Sequence, residues 1–228
     1  MKVLILIISS AREPYNRLEE AIRRTWGSNK SEDIKIFYTY GDGESIQIKN
    51  DKIICDCPES LGNIGIKTII SFELLYNKFD FDYIFRTNLS SFIDTENMIK
   101  YLDDKPTTNY YAGHCGLNFS DEHLIKFGEG TFASGSGYFL SRDIVKKIID
   151  NKEKWDHSVI DDVAIAGLLK ELSILPTNCP RIDITKASNT DILYQADNYH
   201  FRCKTSGDRS GDIEIFEKLN SLIKNKKI

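Results

Sequence analysis

The chain alternates short apolar runs with longer segments in which apolar residues recur at helical spacing. Residues 2–9 are almost continuously apolar, which is typical of a strand covered on both faces. Residues 14–26 repeat apolar positions every three or four residues and stop at Gly27, which is typical of a helix. Residues 63–78 predict another helix, with these residues turned inward: Ile66, Ile69, Ile70, Leu74 and Leu75.

The remaining predicted elements continue this alternation. Further strands are predicted over residues 34–40, 53–55, 83–85, 110–113, 137–140 and 182–184. Further helices are predicted over residues 94–102, 141–149, 163–172 and 212–224. The order of strands and helices indicates a single α/β domain with a mostly parallel central sheet. In such a sheet, ligands bind beyond the carboxyl ends of the strands.

Composition and charge exclude several classes of protein. The 228 residues suit one domain, and 30 basic against 34 acidic residues give a net charge of −4. This balance argues against a dedicated nucleic-acid binder but permits a local basic cleft. The first apolar run is too short to cross a membrane, which takes about 20 residues. The five cysteines lack the spacing of a zinc site and predict buried, reduced thiols.

Polar and basic residues follow several predicted strands and therefore fall at the expected ligand crevice. Ser9 and Arg12 follow the first strand, Asp42 follows the second, and Arg86 begins a polar stretch after a later strand. Lys67 lies one turn inside a glycine-rich helix start, where backbone N–H groups can hold an anion. Each feature has a simpler explanation, either a solvated helix face or an ordinary capped turn.

A glycine turn and an acidic pair form the last candidate feature. Residues 134–138 read Ser-Gly-Ser-Gly-Tyr, a turn that lets the backbone approach a ligand closely. Asp161 and Asp162 stand at a helix start, where one carboxylate can act as a general base while the other caps the helix. The alternative is that both carboxylates only cap the helix and favour its dipole.

Four segments stand in a fixed order along the chain: RLEEAIRRTWG at 17–27, ESLGNIGIKT at 59–68, ASGSGYFLSRDI at 133–144 and IDDVAIAGLL at 160–169. Together they resemble the β-1,3-galactosyltransferase and Fringe group of glycosyltransferases, over residues 3–175. The resemblance implies a single GT-A domain with a mostly parallel sheet. It also implies transfer of a sugar, with inversion, from a UDP-linked donor to a hydroxyl of a glycan or glycoconjugate.

The chain departs from this family at the metal motif. Where the family has three aspartates after a central strand, this chain reads Arg86-Thr87-Asn88-Leu89-Ser90, so that Asn88 and Ser90 stand at carboxylate positions. Neutral oxygens bind Mn²⁺ or Mg²⁺ poorly without carboxylates beside them. The Asp-x-Asp at residues 80–82 precedes the strand and falls at the wrong end of the sheet. We therefore expect no cofactor, with a divalent cation such as Mn²⁺ or Mg²⁺ as the alternative.

The resemblance assigns roles to the candidate residues. Ser9, Arg12 and Asp42 are candidates for the nucleoside, with Lys67 nearby. Without a metal, Arg202 and Lys204 would hold the diphosphate, with Arg86 or Lys67 in support and Arg209 in the same loop; a merely solvated basic loop is the alternative. The turn from Gly135 to Tyr138, which includes Ser136 and Gly137, is expected to line the acceptor or donor sugar pocket, and Asn88 and Ser90 are further candidates for donor binding.

The catalytic assignment follows from the acidic pair. Asp162 would deprotonate the acceptor hydroxyl, and Asp161 is the second choice of base. We expect residues 1–90 to form a nucleotide-binding half and residues 91–228 an acceptor and catalytic half.

Two other functions are open on the sequence. One is a catalytically inactive module that binds nucleotide sugars; the other, a sugar nucleotidyltransferase, lacks its glycine-rich signature after the first strand. We expect no nucleic-acid partner, no membrane insertion and a cytoplasmic protein, and the oligomeric state stays open. The Ile-, Lys- and Asn-rich usage is typical of an AT-rich genome, such as that of a microbe or a large virus, whose host cytoplasm would then be the location.

Overall fold

The computed structural model describes residues 1–28, 31–115 and 132–225. The strands are β1 (Val3–Ile8), β2 (Ile34–Tyr40), β3 (Gln47–Lys49), β4 (Lys52–Ile54), β5 (Tyr83–Asn88), β6 (Ser91–Ile93), β7 (Tyr111–Gly113), β8 (Gly137–Ser141), β9 (Thr177–Asn178), β10 (Ile182–Ile184) and β11 (His200–Cys203). The helices are α1 (Tyr15–Arg24), α2 (Ile64–Lys78), α3 (Thr95–Leu102), α4 (Arg142–Asp150), α5 (Asp161–Glu171), α6 (Thr190–Leu193) and α7 (Ser210–Asn225). Every predicted strand and helix is present.

The main sheet has eight strands in the order β3-β4-β2-β1-β5-β8-β7-β9. Its centre is parallel, because β1 pairs in parallel with both β2 and β5, and β2 with β4. Ile8 at the end of β1 lies opposite Thr39 and Asn88. The carboxyl ends of three neighbouring strands therefore meet at one edge, and the prediction of an α/β fold with a mostly parallel central sheet is confirmed.

Strand β1 is buried along its whole length, as its continuous apolar run predicts. Val3, Ile5 and Ile7 pack into one core cluster, together with α1 residues such as Ile22. Leu4 and Leu6 pack into a second cluster on the other face, with the α2 residues Phe72 and Leu75 among their neighbours. The sheet is therefore covered by helices on both faces.

Helix α2 differs from its prediction in which residues face inward. Ile69 and Leu75 are buried, but Ile66, Ile70 and Leu74 are only half-buried. The buried face also carries five other residues: Gly65, Lys67, Thr68, Ser71 and Phe72. The apolar pattern alone places polar Lys67, Thr68 and Ser71 outside, whereas Ser71 and Thr39 form a buried hydrogen bond of 3.0 Å.

A second sheet of three strands, β10-β11-β6, stands beside the first. Strand β11 was not predicted; it runs antiparallel to β6, and Arg202 lies opposite Ser91. The backbone N–H of Cys203 donates to the carbonyl of Ser90 at 2.6 Å. This pairing brings the C-terminal basic residues to the end of β5. None of the described helices is both long and apolar enough to cross a membrane.

The cysteine prediction is largely met. Cys55, Cys57, Cys179 and Cys203 are buried, and all five cysteines are free thiols. Cys115 is half-buried. Packing in the core accounts for these side chains.

Candidate functional site

A cleft of about 380 Å³ opens where β1 and β5 end. Its wall includes Ser9 and Ser10 after β1 and the stretch from Asn88 to Ser90 after β5. It also carries five basic residues: Arg12, Lys67, Arg202, Lys204 and Arg209. Glu59 is the one carboxylate among the lining residues that the structure describes. The cleft is therefore suited to an anionic ligand.

The structure brings together half of the predicted site residues. The following line the cleft: Ser9, Arg12, Lys67, Asn88, Ser90, Arg202 and Lys204. The following are not among its lining residues: Asp42, Arg86, Gly135, Ser136, Gly137, Asp161 and Asp162. Glu59 and Arg209 line it without having been assigned a role from the sequence; both lie in segments already singled out, the ESLG stretch and the basic C-terminal loop.

Lys67 lines the cleft but is held in an ion pair, and its role as an anion ligand stays a prediction. Its side chain is 1 % exposed, and its ammonium group lies 2.6 Å from Glu59 Oε1. The same ammonium donates to the carbonyl oxygen of Ser9 at 3.0 Å. The other Glu59 oxygen accepts the N–H of Gly41 at 2.7 Å. Lys67 thus ties the end of β1 to the loop that follows β2.

Asp42 does not line the cleft but contacts two residues that do, Arg12 and Glu59. Its Oδ2 lies 3.2 Å from Arg12 Nη2, and its Oδ1 accepts the N–H of Glu59 at 2.8 Å. The Glu59 N–H, followed by Arg12, lowers the pKa of Asp42 below its usual value. Both side chains of the Arg12–Asp42 pair are more than half exposed, so the pair is screened by solvent and can exchange partners.

Arg86 is not available to a diphosphate, contrary to its prediction. Strand β5 extends through it, and its side chain is only 3 % exposed. It forms an ion pair with Asp161 and donates to the carbonyl of Gly135. Burial opposes the charged form of Arg86, but Asp161 and other nearby charges raise its pKa above the usual value. Arg86 therefore anchors the start of α5 to the sheet.

The two aspartates at the start of α5 have different partners. The Asp161 side chain is 11 % exposed and pairs with Arg86, and burial raises the pKa of Asp161. Asp162 is half-buried, and its Oδ2 accepts the N–H of Gly135 at 2.8 Å. The N-cap position belongs to Ile160, and Asp162 accepts a first-turn N–H, that of Val163, at 3.1 Å. Helix capping alone does not explain the pair, and Asp162 is the less constrained carboxylate.

Gly135 connects the acidic pair to the cleft. Its carbonyl accepts a hydrogen bond of 3.2 Å from Asn88 Nδ2, and Asn88 lines the cleft. A side chain at this position would begin 2.9 Å from Arg86 Nη1 and 3.1 Å from Asp162 Oδ2. Only glycine permits this close approach.

Ser136 and Gly137 are not among the lining residues of the cleft, and their place in a sugar pocket stays a prediction. Both are buried, and the carbonyl of Ser136 accepts hydrogen bonds from Thr87 and Ser91. A Cβ on Gly137 would come within 2.5 Å of the Phe85 ring. The reason is the antiparallel pairing of β8 with β5, which holds these residues against the sheet.

The family resemblance implies a divalent cation near Asn88 and Ser90, and the residues there do not suit one. Asn88 Oδ1 accepts the N–H of Ser90 at 2.9 Å, and Ser90 Oγ accepts from Arg209 Nη2 at 2.8 Å. A guanidinium in this position repels a metal ion. Within residues 1–28, 31–115 and 132–225, no cluster of three His, Cys, Asp or Glu side chains could hold a metal.

The Asp-x-Asp sequence offers no alternative metal site. Asp82 accepts the backbone N–H of Lys2 at 2.7 Å, and Asp80 pairs with the Lys2 ammonium at 3.0 Å. Lys2 precedes β1, so both carboxylates lie at the amino edge of the sheet, opposite the cleft.

The three basic residues from the C-terminal part of the chain differ in how firmly neighbouring carboxylates hold their side chains. Arg202 Nη1 lies 3.5 Å from Asp183 Oδ2, and its Nε is buried without a hydrogen-bond partner in the part of the chain that the structure describes. Lys204 is exposed, and no described carboxylate lies within 4.0 Å of its ammonium. Arg209 is clamped by Asp212, with Nε 2.7 Å from its Oδ2.

A twisted α/β sheet with a basic cleft at its carboxyl edge, and an acidic pair joined to that cleft through a glycine, places the chain in the GT-A class of glycosyltransferase folds. The galactosyltransferase family matches residues 17–180, which is most of the chain. The chain therefore belongs to the galactosyltransferase family, and the resemblance to β-1,3-galactosyltransferases is confirmed.

Curated relatives agree with this assignment. The chain is 26% identical over 200 residues to "Beta-1,3-galactosyltransferase 5" of Pan troglodytes, covering 75% of this chain and 66% of the relative. It is 25% identical over 226 residues to "UDP-GalNAc:beta-1,3-N-acetylgalactosaminyltransferase 1" of Homo sapiens, covering 84% and 65%. The chain thus spans slightly less than two thirds of the length of these relatives.

Solved structures confirm the GT-A fold. A glycosyltransferase involved in glycosylation of the major capsid of PBCV-1 superposes with a TM-score of 0.58, at 12% identity, over 96% of this chain and 100% of that one. Glycosyltransferase GlyE of Streptococcus pneumoniae superposes with a TM-score of 0.51, at 13% identity, over 99% and 63%.

Proposed function

We propose that this protein is an inverting glycosyltransferase that moves a sugar from a UDP-sugar to a hydroxyl of a glycan or glycoconjugate, without a metal ion. The observation that carries the proposal is the basic cleft at the carboxyl edge, joined to Asp162 through Gly135. The base would then lie beside the acceptor hydroxyl that attacks the anomeric carbon of the donor. Membership of the galactosyltransferase family supports this reaction class.

The donor would lie along the cleft from β1 to β11. Ser9 and Arg12, with Asp42 paired to Arg12, would contact the nucleoside, whereas Arg202 and Lys204 lie in the C-terminal part of the wall. A diphosphate between them would be neutralised by these cations. Uridine as the nucleoside rests on a relative, since one of them is named for a UDP-GalNAc donor.

In the proposed reaction, Asp162 takes the proton of the acceptor hydroxyl. The hydroxyl oxygen forms a bond to the anomeric carbon while the bond from that carbon to the diphosphate oxygen breaks on the opposite face. UDP leaves with an additional negative charge, which the basic residues of the cleft stabilise. Asp161 is a weaker candidate for the base, because its carboxylate is occupied by Arg86.

The experiment begins with a screen of nucleotide sugars for thermal stabilisation of the protein, followed by transfer assays with the donor that binds. Asp162→Asn should lower turnover by about 10²- to 10⁴-fold with little change in donor affinity. Asp103→Asn, an exposed aspartate outside the cleft lining, is the matched control. Unchanged turnover in Asp162→Asn would contradict the assignment of the base.

Metal independence has its own test. Turnover should be unaffected by EDTA, because the residues at the metal-motif position do not suit a divalent cation. Complete loss of activity in EDTA, with recovery on addition of Mn²⁺, would contradict this part of the proposal.

One observation favours the alternative of an inactive nucleotide-sugar-binding module. Both candidate bases already accept hydrogen bonds from the protein, Asp161 from Arg86 and Asp162 from the N–H of Gly135. Donor binding without transfer or hydrolysis for any acceptor would support this alternative.

Two further expectations stay predictions. The first is the division into a nucleotide-binding half, 1–90, and an acceptor half, 91–228. In the proposed function, Arg202 and Lys204 of the second half would also bind the donor. The cytoplasmic location is to be tested by fractionation of cells that express the protein.

A further inference from the structure

We infer that Arg209 binds the diphosphate of the donor and takes the place of the divalent cation. This inference rests on the proposed function and concerns the same cleft. It starts from a contact between residues that are 119 positions apart in the sequence: Arg209 Nη2 donates to Ser90 Oγ at 2.8 Å. Ser90 stands where the family has a metal-binding carboxylate, and Arg209 lines the cleft. A fixed positive charge therefore lies where the resemblance places the metal ion.

The guanidinium of Arg209 is fixed in place by Asp212. Asp212 is fully buried, and its Oδ2 accepts from Arg209 Nε at 2.7 Å and also from Nη2. The other oxygen of Asp212 accepts the N–H and the hydroxyl of Thr205, at 2.6 and 2.7 Å. Asp212 thus fixes both ends of the loop from residue 205 to residue 209. An anchored guanidinium loses little side-chain entropy on binding a ligand.

One nitrogen of Arg209 is left for a ligand. Nε and Nη2 are used by Asp212 and Ser90, whereas Nη1 makes no hydrogen bond to any residue in the described ranges. The Arg209 side chain keeps 14 % of its surface exposed. In a cleft with this lining, a phosphate oxygen is a suitable acceptor for it.

Three of the other basic residues of the cleft are less suited to this role than Arg209. Lys67 is neutralised by Glu59 beside the cleft, and Arg12 pairs with exposed Asp42. Lys204 is exposed, and an exposed lysine is a mobile point charge. Among the described cations of the lining, Arg209 is the one whose side chain donates a hydrogen bond to Ser90. Its guanidinium would stabilise the charge on the leaving UDP without a change in its own bonds.

The test is calorimetric binding of UDP and of uridine in EDTA to the unaltered chain, Arg209→Lys, Arg209→Gln and the double variant Arg209→Gln/Asp212→Asn. The double variant avoids an unpaired buried carboxylate, so that loss of folding does not obscure the result. Arg24→Gln is the matched control, because Arg24 pairs with Glu217 on α7 and is absent from the cleft lining.

We expect both Arg209→Gln variants to bind UDP about 10- to 100-fold more weakly, with uridine affinity unchanged, since a charged hydrogen bond to phosphate is lost. Arg209→Lys should recover part of the affinity. UDP affinity equal to that of the unaltered chain, or an equal loss for uridine and UDP, would overturn the inference. No UDP binding by the unaltered chain would instead overturn the proposed function, and the inference with it.

Discussion

Replacing Lys67 with methionine tests whether this residue acts as a structural ion-pair partner or as a contact for the ligand. The Lys67–Glu59 pair joins two side chains that are 1 % and 11 % exposed, with 2.6 Å between charged atoms. Removing one partner of a buried pair leaves an uncompensated charge, which costs about 3–5 kcal/mol. The carbonyl of Ser9 loses its 3.0 Å donor as well. For a chain of this length, the loss corresponds to a fall in Tm of about 6–20 °C.

The assay is thermal unfolding of Lys67→Met, of Glu59→Gln and of the double variant. Because Glu59→Gln removes the unpaired charge but keeps an acceptor for the Gly41 N–H, the double variant should be more stable than Lys67→Met alone. Lys147→Met, an exposed lysine on α4, is the control and should change Tm little. A Tm close to that of the unaltered chain in Lys67→Met, combined with weaker UDP binding, would refute the reasoning and restore Lys67 as an anion ligand.

Three further changes follow from the site and its surroundings. Gly135→Ala should lower turnover at least 10-fold, measured with the donor that binds, because its Cβ would displace Arg86 or Asp162 from distances of 2.9 and 3.1 Å; unchanged turnover would exclude the close approach. Arg86→Met should destabilise the fold by about 3–5 kcal/mol in denaturant unfolding, since Asp161 would be buried without its partner, and Arg86→Met/Asp161→Asn should recover part of this. Burial lowers the pKa of His200 from 6.5 to about 3, so the unfolded chain takes up a proton below pH 6.5 that the folded chain does not. The free energy of unfolding should therefore fall as pH drops from about 6.5 towards 3, and this fall should be smaller in His200→Gln.

The comparison of prediction and structure is most instructive at the charged residues. Sequence position placed Arg86 after a strand, free to face the cleft, whereas β5 continues through it. Its partner Asp161 lies 75 residues away, and their contact exists only because α5 begins beside the end of β5. Lys67 was expected to present its ammonium to an anion, and Glu59 neutralises it instead. In each case the unpredicted partner is explained by the high free-energy cost of burying a charge that has no opposite charge beside it.

Strand β11 shows why short elements escape prediction. Its four residues, His200–Cys203, carry no usable periodicity, and the strand forms because β6 and β10 supply backbone partners on either side. That pairing then decides the composition of the cleft, since Arg202 belongs to β11 and Lys204 follows it. Arg209 lies in the loop that follows β11, and Asp212 holds this loop so that the Arg209 side chain reaches Ser90.

The sequence by itself determined the order of strands and helices, the double-sided burial of β1 and the family, because these depend on local apolar periodicity and on the identity of neighbouring residues. It also located the two ends of the site, the polar residues after β1 and β5 and the basic residues near the C-terminus. Only the tertiary structure decided which charges are free and which are paired. Electrostatic partners are chosen by distance in space and by burial, and neither is encoded in spacing along the chain.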